Sequence, residues 1–346
     1  MRLGRRLAVL LACLALPGCV EPGYLVRAGW SEARLLLRRQ PIDGLLARDD
    51  LPAEFRARLE TTLAVRAFAA STLGLRVGDS YTTFAEVPDD ATVWVVSAAR
   101  RDALELHSWR YPLVGSLPYR GFFDRGAAER AAADLGRRDL DVEVRPAVAF
   151  STLGWFADPL LSTAAQRPPV AVADTVLHEL WHATLFLPGK AAFNESAATF
   201  TGHRGAVAFF CSGPGADAAR CADARRRWSA TRARGRVLGR LAARLRNLYA
   251  GHPGRARRER VRTALAAAAG RALERRGVGD ARDLVPPNNA ALLGELIYLT
   301  DLDRFDALAP TDADLPGALH ALATAAREAP DPFAAVAALA GTVREG

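Results

Sequence analysis

The sequence predicts an α+β protein in which N-terminal helices and a small mixed sheet pack on a mostly helical C-terminal half. Three observations carry this. Residues 166–346 read as a succession of helices, and residues 31–39 and 53–73 carry leucines and alanines three and four apart, the period of helices that bury one face. Alternating or β-branched runs are confined to about residues 81–150. Half of the 346 residues are apolar and the charge is spread along the chain, which suits a globular protein with a substantial core.

In order along the chain, Arg2, Arg5 and Arg6 precede an apolar run from Leu7 to Leu16. As a helix that run is too short for a bilayer of roughly 30 Å. Leu16-Pro17-Gly18-Cys19 follows and resembles a bacterial lipobox, in which the cysteine is lipidated and becomes the new N-terminus. Residues 1–18 therefore read as a lipoprotein signal peptide. Residues 19–346 read as a single domain, mixed over about 30–165 and helical over about 166–346. Val20, where an Asp would favour inner-membrane retention, leans towards the outer membrane. The expected location is the bacterial cell envelope, anchored through Cys19 and facing the periplasm. Export sets the reading of Cys211 and Cys221, which flank Ser212-Gly213-Pro214-Gly215. In an oxidising compartment they are expected to form a disulfide.

Residues 21–29 read as a tether. Helices are expected at Ser31–Arg39 and Ala53–Leu73, punctuated by Pro41 and Pro52. Thr92–Ala98 and Ala103–Trp109 read as a hairpin, and Pro112–Phe123, rich in Pro and Gly, as a loop. Ala127–Arg137 reads as a short helix. Leu140–Val144 alternates strictly and reads as a strand running on towards Phe150. Helices follow at Val170–Leu187, ended by Pro188-Gly189, and at Phe193–Phe210, Asp223–Ala250, Arg255–Arg276, Asn289–Leu299, Leu315–Arg327 and Pro332–Arg344. The net charge is +8, and Lys190 is the only lysine. The basic stretch from Arg225 to Arg246, continuing to Arg262, has few aromatics and no nucleic-acid motif. It reads as solvated helix faces, and no nucleic-acid partner is expected.

The chemistry centres on His178-Glu179-Leu180-Trp181-His182. On a helix, residues four apart share one face, so both imidazoles can reach one metal ion, with Glu179 beside it as general base. The bland alternative is a pair of core histidines. A catalytic zinc keeps three protein ligands and an open position. Glu195, thirteen residues after His182 and early in the next helix, is the first candidate for the third ligand, with His203 as its rival. A metzincin pattern would need Gly and His where Leu185 and Pro188 stand. Asn194-Glu195 opening a helix is instead similar to the gluzincin arrangement, with a shorter connection. The expected set is one Zn2+ on His178, His182 and Glu195. Zinc makes hydroxide available near neutral pH, and Glu179 moves the proton to the leaving amine. His203, eight residues after Glu195, is the first candidate to stabilise the oxyanion, with Tyr119 and Tyr298 as alternatives. Asp174 and Thr199 stand at helical spacing to orient the ligands.

Four stretches carry a family resemblance: Tyr111–Gly115 through Pro118–Phe123, Ser151–Leu160, the HELWH helix, and Phe193–Ala197. Asn288-Asn289-Ala290 adds to them. The chain resembles a family of bacterial predicted aminopeptidases, often lipoproteins. The resemblance implies a gluzincin-like zinc metallopeptidase with a peptide substrate. Such enzymes hold the peptide as an added strand, and the segment from Leu140 to Gly154 reads either as that docking strand or as a buried strand end with a glycine bulge. Two rival readings are a non-catalytic periplasmic binding or scaffold lipoprotein and a zinc hydrolase of a non-peptide amide. Glu179 counts against the first, which has no need of a base.

Overall fold

The structure is a computed structural model that describes residues 39–87, 93–111, 115–122, 124–146, 157–284 and 287–345. The expected signal peptide, Cys19, the tether, all but the last residue of the helix expected at 31–39, and Gly154 lie outside these residues.

The helix that carries the His178–His182 motif lies in the main core. Pro169 opens helix Pro169–Thr184 at a position where its missing N–H is no loss. That helix buries Val172, Val176, Leu177, Leu180 and Trp181. It packs along Ala191–Cys211, which buries Phe193, Phe200, Phe209 and Phe210, and against Ala53–Ser71. Numbered in chain order, the helices of the described residues are α1 (Ile42–Leu46), α2 (Ala53–Ser71), α3 (Arg125–Gly136), α4 (Ser162–Ala165), α5 (Pro169–Thr184), α6 (Ala191–Cys211), α7 (Ala218–Ala250), α8 (Arg255–Glu274), α9 (Asn289–Leu299), α10 (Leu302–Asp306), α11 (Leu315–Glu328) and α12 (Pro332–Glu345). Helices α2, α5, α6, α10, α11 and α12 share the main core, while α7, α8 and α9 enclose a second around Leu238, Leu241, Leu245 and Leu273. No helix among the described residues is long and apolar enough to cross a membrane.

The strands are β1 (Gln40–Pro41), β2 (Thr83–Ala85), β3 (Trp94–Arg100), β4 (Trp109–Tyr111), β5 (Gly115–Leu117), β6 (Tyr119–Phe122), β7 (Leu140–Pro146) and β8 (Leu160–Leu161). An antiparallel sheet has the order β6-β3-β7, a small mixed sheet the order β1-β2-β8, and β4 and β5 form a hairpin. Val96 and Ala98 of β3 pack on α3, and Val95, Ser97 and Ala99, which alternate with them, are buried as well, where α9 meets β3 and β7. The α+β class is as the sequence predicts.

Local reading fails in three places. Ala103–Trp109 is not a strand paired with β3. Only Leu106 bridges Ala99, and Trp109 begins a separate hairpin with β5. Residues 112–123 are not simply a loop, because β5 and β6 lie there, with Gly121 paired to Val95. A glycine has no strand preference of its own, but a partner strand supplies the hydrogen bonds that hold it extended. Helix α5 stops at Thr184, short of Leu187. Leu185 is extended, and the Thr184 carbonyl accepts from Arg327 at 2.9 Å, a contact from α11 that no local signal encodes.

The sheet and the helical half are locked by the Asn288-Asn289 pair. Asn288 caps α9 through Ala290 and Ala291 N–H and donates to Val142 O at 2.8 Å. Asn289 donates to Arg100 O at 2.8 Å from its amide and to Asp141 from its backbone, and accepts from the Tyr249 hydroxyl at 3.0 Å. Asp141 is ion-paired with Arg262, both buried, and with Arg101 at 3.1 Å.

Candidate metal centre

Helices α5 and α6 approach closely because two glycines of α6 face α5. A side chain at Gly202 would stand 2.7 Å from Asp174 O, and closer still to its carboxylate; one at Gly205 would stand 2.7 Å from Leu177 Cδ1. Asn194 ties the turn between the helices, accepting from Leu187 N at 3.0 Å and donating to Leu187 O at 2.8 Å. Gly189, at φ +74°, takes the left-handed conformation that the reversal requires. On the other side of Glu195, Ser196 donates to Ile297 O at 3.0 Å and accepts from Thr300 N at 3.1 Å, which fastens the end of α9 to α6. Glu195 is thus fixed from both neighbours.

This framework brings the expected ligand atoms together. His178 Nε2 stands 3.2 Å and His182 Nε2 3.5 Å from Glu195 Oε2, and the two imidazole nitrogens are 3.3 Å apart. Donors at about 2.0–2.1 Å from a tetrahedral zinc ion stand roughly 3.3–3.4 Å from one another. The three atoms therefore have the spacing of one metal's ligands, and two imidazoles with one carboxylate suit zinc. His182 is buried, and the other two are largely so. Burial alone would raise the Glu195 pKa; hydrogen bonds from both histidines overcome this and hold it at about 2. Burial alone would lower the His178 pKa, but the hydrogen bond to Glu195 and the surrounding carboxylates outweigh it, and the net shift is upward. The site is thus built to stabilise positive charge among these atoms.

Glu179 lies on the same helix, and its Oε2 is buried with no hydrogen-bond partner among the described residues. Tyr298 of α9 stacks on His178 with ring centroids 6.2 Å apart. Burial and the Glu195 charge push its phenol up to about 12, against the nearby Arg145 of β7, which hydrogen-bonds it.

A family model described as "Putative aminopeptidase" matches residues 23–327. The chain belongs to this aminopeptidase family. No curated protein and no solved structure matches it.

In this family member the remaining expected residues are placed as follows. His203 sits next to the cluster but turns away from it. Its Nδ1 is 3.6 Å from Asp174, its Nε2 3.1 Å from Thr231 Oγ1, and its ring lies 5.5 Å from the Trp228 ring. Burial lowers its pKa, as do the cationic groups nearby, against the pull of Asp174. Asp174 therefore meets His203 and the Gly202 backbone, and Thr199 is buried within α6. Tyr119 is exposed on β6. The expected Cys211–Cys221 disulfide is present and joins the end of α6 to α7.

Tyr81 belongs to this neighbourhood and has no signal in the sequence. It is buried at φ +62°, uncommon for an aromatic residue, with its N–H on Asp158 O at 2.7 Å. Burial, then the Glu179 and Asp158 carboxylates, push its phenol well above the ordinary range.

Proposed function

We propose that the protein is a metallopeptidase, acting as an aminopeptidase, with one zinc ion on His178, His182 and Glu195. The observation that carries this reading is the convergence of those three donor atoms beside Glu179. Zinc bound there would polarise the scissile carbonyl and lower the pKa of water towards roughly 7. Glu179 takes the proton of the attacking water on a carboxylate oxygen and delivers it to the leaving amine. The Tyr298 hydroxyl, kept protonated by its high pKa, donates to the developing oxyanion. His203 holds Asp174 and Thr231 behind the site and acts as a positioning residue. The peptide adds along β7, which has β3 as its one strand neighbour among the described residues and whose Arg145 reaches Tyr298.

Export by the signal peptide, lipidation at Cys19 and a periplasm-facing position at the outer membrane belong to the same proposal and rest on residues 1–20. The test is metal content together with hydrolysis of short peptides with free and blocked amino termini. One zinc per chain and cleavage of the free-amine set alone is the expected result. A protein that binds no zinc would end the metallopeptidase reading, and equal cleavage of blocked peptides would end the aminopeptidase reading. Mass spectrometry of the mature chain tests lipidation at Cys19.

A further inference from the structure

Helices α7 and α8 lie side by side as a hairpin, and their outward stripes leave a groove of about 340 Å³. Leu241, Leu265 and Ala269 form its apolar floor. Arg240 and Arg244 of α7 stand on one side, and Arg275 and Arg276 of α8 on the other. All four are exposed. None has a carboxylate within ion-pair distance among the described residues; Arg276 donates only to Ala272 O of its own helix, at 2.9 Å.

Several arginines of these helices are placed differently, though Arg246, Arg257, Arg260 and Arg271 are exposed and, among the described residues, also have no ion pair. Arg234 is paired with Glu295, Arg236 with Asp303, and Arg262 with Asp141 and Glu259. Arg234, Arg236 and Arg262 are neutralised against neighbouring elements, while the four around the groove converge on one apolar floor with no carboxylate partner among the described residues. Guanidinium groups match phosphate geometry in a bidentate fork. A floor of leucine and alanine between them suits the hydrocarbon next to a phosphate. A single nucleic-acid strand would instead need aromatic platforms for its bases, and none lines this groove.

We infer that the α7–α8 groove is a docking surface for an anionic phospholipid membrane. Phosphodiester headgroups engage the arginine rim, and the glycerol and first acyl carbons rest on Leu241 and Leu265. The surface is remote in sequence from the metal ligands, and the inference does not depend on the peptidase reading.

The test uses the full chain and phosphatidylcholine vesicles with and without phosphatidylglycerol. The quantity read is the ratio of the two partition coefficients, in which a lipid anchor at Cys19 contributes to both terms. A basic side chain at an anionic surface contributes roughly 1 kcal/mol, about fivefold in binding. Arg240→Gln/Arg275→Gln should therefore lower the ratio about 25-fold. Arg76→Gln/Arg138→Gln, an equal charge change at exposed sites outside the groove, should leave it nearly unchanged. Ala268→Asp keeps every arginine but puts a carboxylate in the groove, and should lower the ratio too. Thermal melts establish that each variant is folded; should the first pair not fold, Arg244→Gln/Arg276→Gln carries the same expectation. An equal loss in the control pair would reduce the effect to net charge and overturn the proposal. So would an unchanged ratio in the groove variants, or groove variants that lose binding to duplex DNA while keeping their preference for phosphatidylglycerol.

Discussion

At the scale of single residues, His178, His182 and Glu195 differ from Glu179 in what each loses on substitution. Glu195 accepts from both imidazoles, so Glu195→Ala removes one of the three proposed ligands and should empty the site of metal. Glu179 accepts no hydrogen bond at Oε2 among the described residues, so Glu179→Gln should leave fold and zinc content intact. It should cost about a hundredfold or more in turnover, because an amide cannot take the proton. Zinc analysis beside peptide assays separates the two outcomes, and near-wild-type turnover in Glu179→Gln would remove that residue from the mechanism. Tyr298→Phe keeps the stack on His178 and deletes one donor. The expected result is a loss in kcat of about 10²–10³ with little change in KM. His203→Ala should instead act through α5–α6 packing, lowering thermal stability more than kcat. A reversal of those two patterns would exchange their roles.

At the scale of elements, the site depends on how closely α5 and α6 approach. Gly202→Ala puts a methyl group against Asp174 O, and backbone cannot move aside as a flexible side chain can. Overpacking of this kind costs about 1–3 kcal/mol. It should also weaken zinc binding, because separating the helices separates His178 from Glu195. Unchanged melting and metal affinity would mean that the helix pair relaxes freely. The Cys211–Cys221 bridge acts at the far end of α6 and closes a ten-residue separation. Its reduction should cost about 2–3 kcal/mol of stability, with zinc content preserved, since the bridge mainly restricts the unfolded chain. Melting curves with and without reductant, with metal measured on the same samples, check both statements.

For the whole molecule, one buried cluster unites the sheet with the helices. Asp141 on β7 receives Arg262 of α8, Arg101 from the end of β3 and the Asn289 backbone at the start of α9. Removing one partner of a buried ion pair leaves the other uncompensated, at a cost of about 3–5 kcal/mol. Asp141→Ala should therefore destabilise the entire chain in a single transition. Because α9 carries Tyr298, it should also reduce activity at sub-melting temperatures. Loss of the sheet alone, with the α5–α6 core still cooperative, would show that the two halves fold independently.

The helical half and the Leu140–Val144 strand were legible in the sequence because periodicity is a local consequence of which face is buried. His178, Glu179 and His182 were legible for the same reason, since a spacing of four on one helix fixes their geometry without reference to the rest of the chain. Glu195 could be nominated from its place early in the next helix. Its approach to the histidines is decided by the Asn194 tie to Leu187 and by Gly202 against Asp174, contacts between residues distant along the chain. His203 illustrates the limit. Spacing on α6 put it near the face of Glu195, but Asp174 and Thr231, on two other helices, set the direction of its ring. Strand pairing in 103–123 and the Arg327 contact at the end of α5 were likewise invisible. A strand such as β6 exists because β3 satisfies its backbone, and the Thr184 carbonyl, which Pro188 four residues on cannot hydrogen-bond, is satisfied by Arg327 of α11. Sequence determined which side chains share a helix face; tertiary packing decided which atoms meet, because close approach depends on surfaces brought together from far apart in the chain.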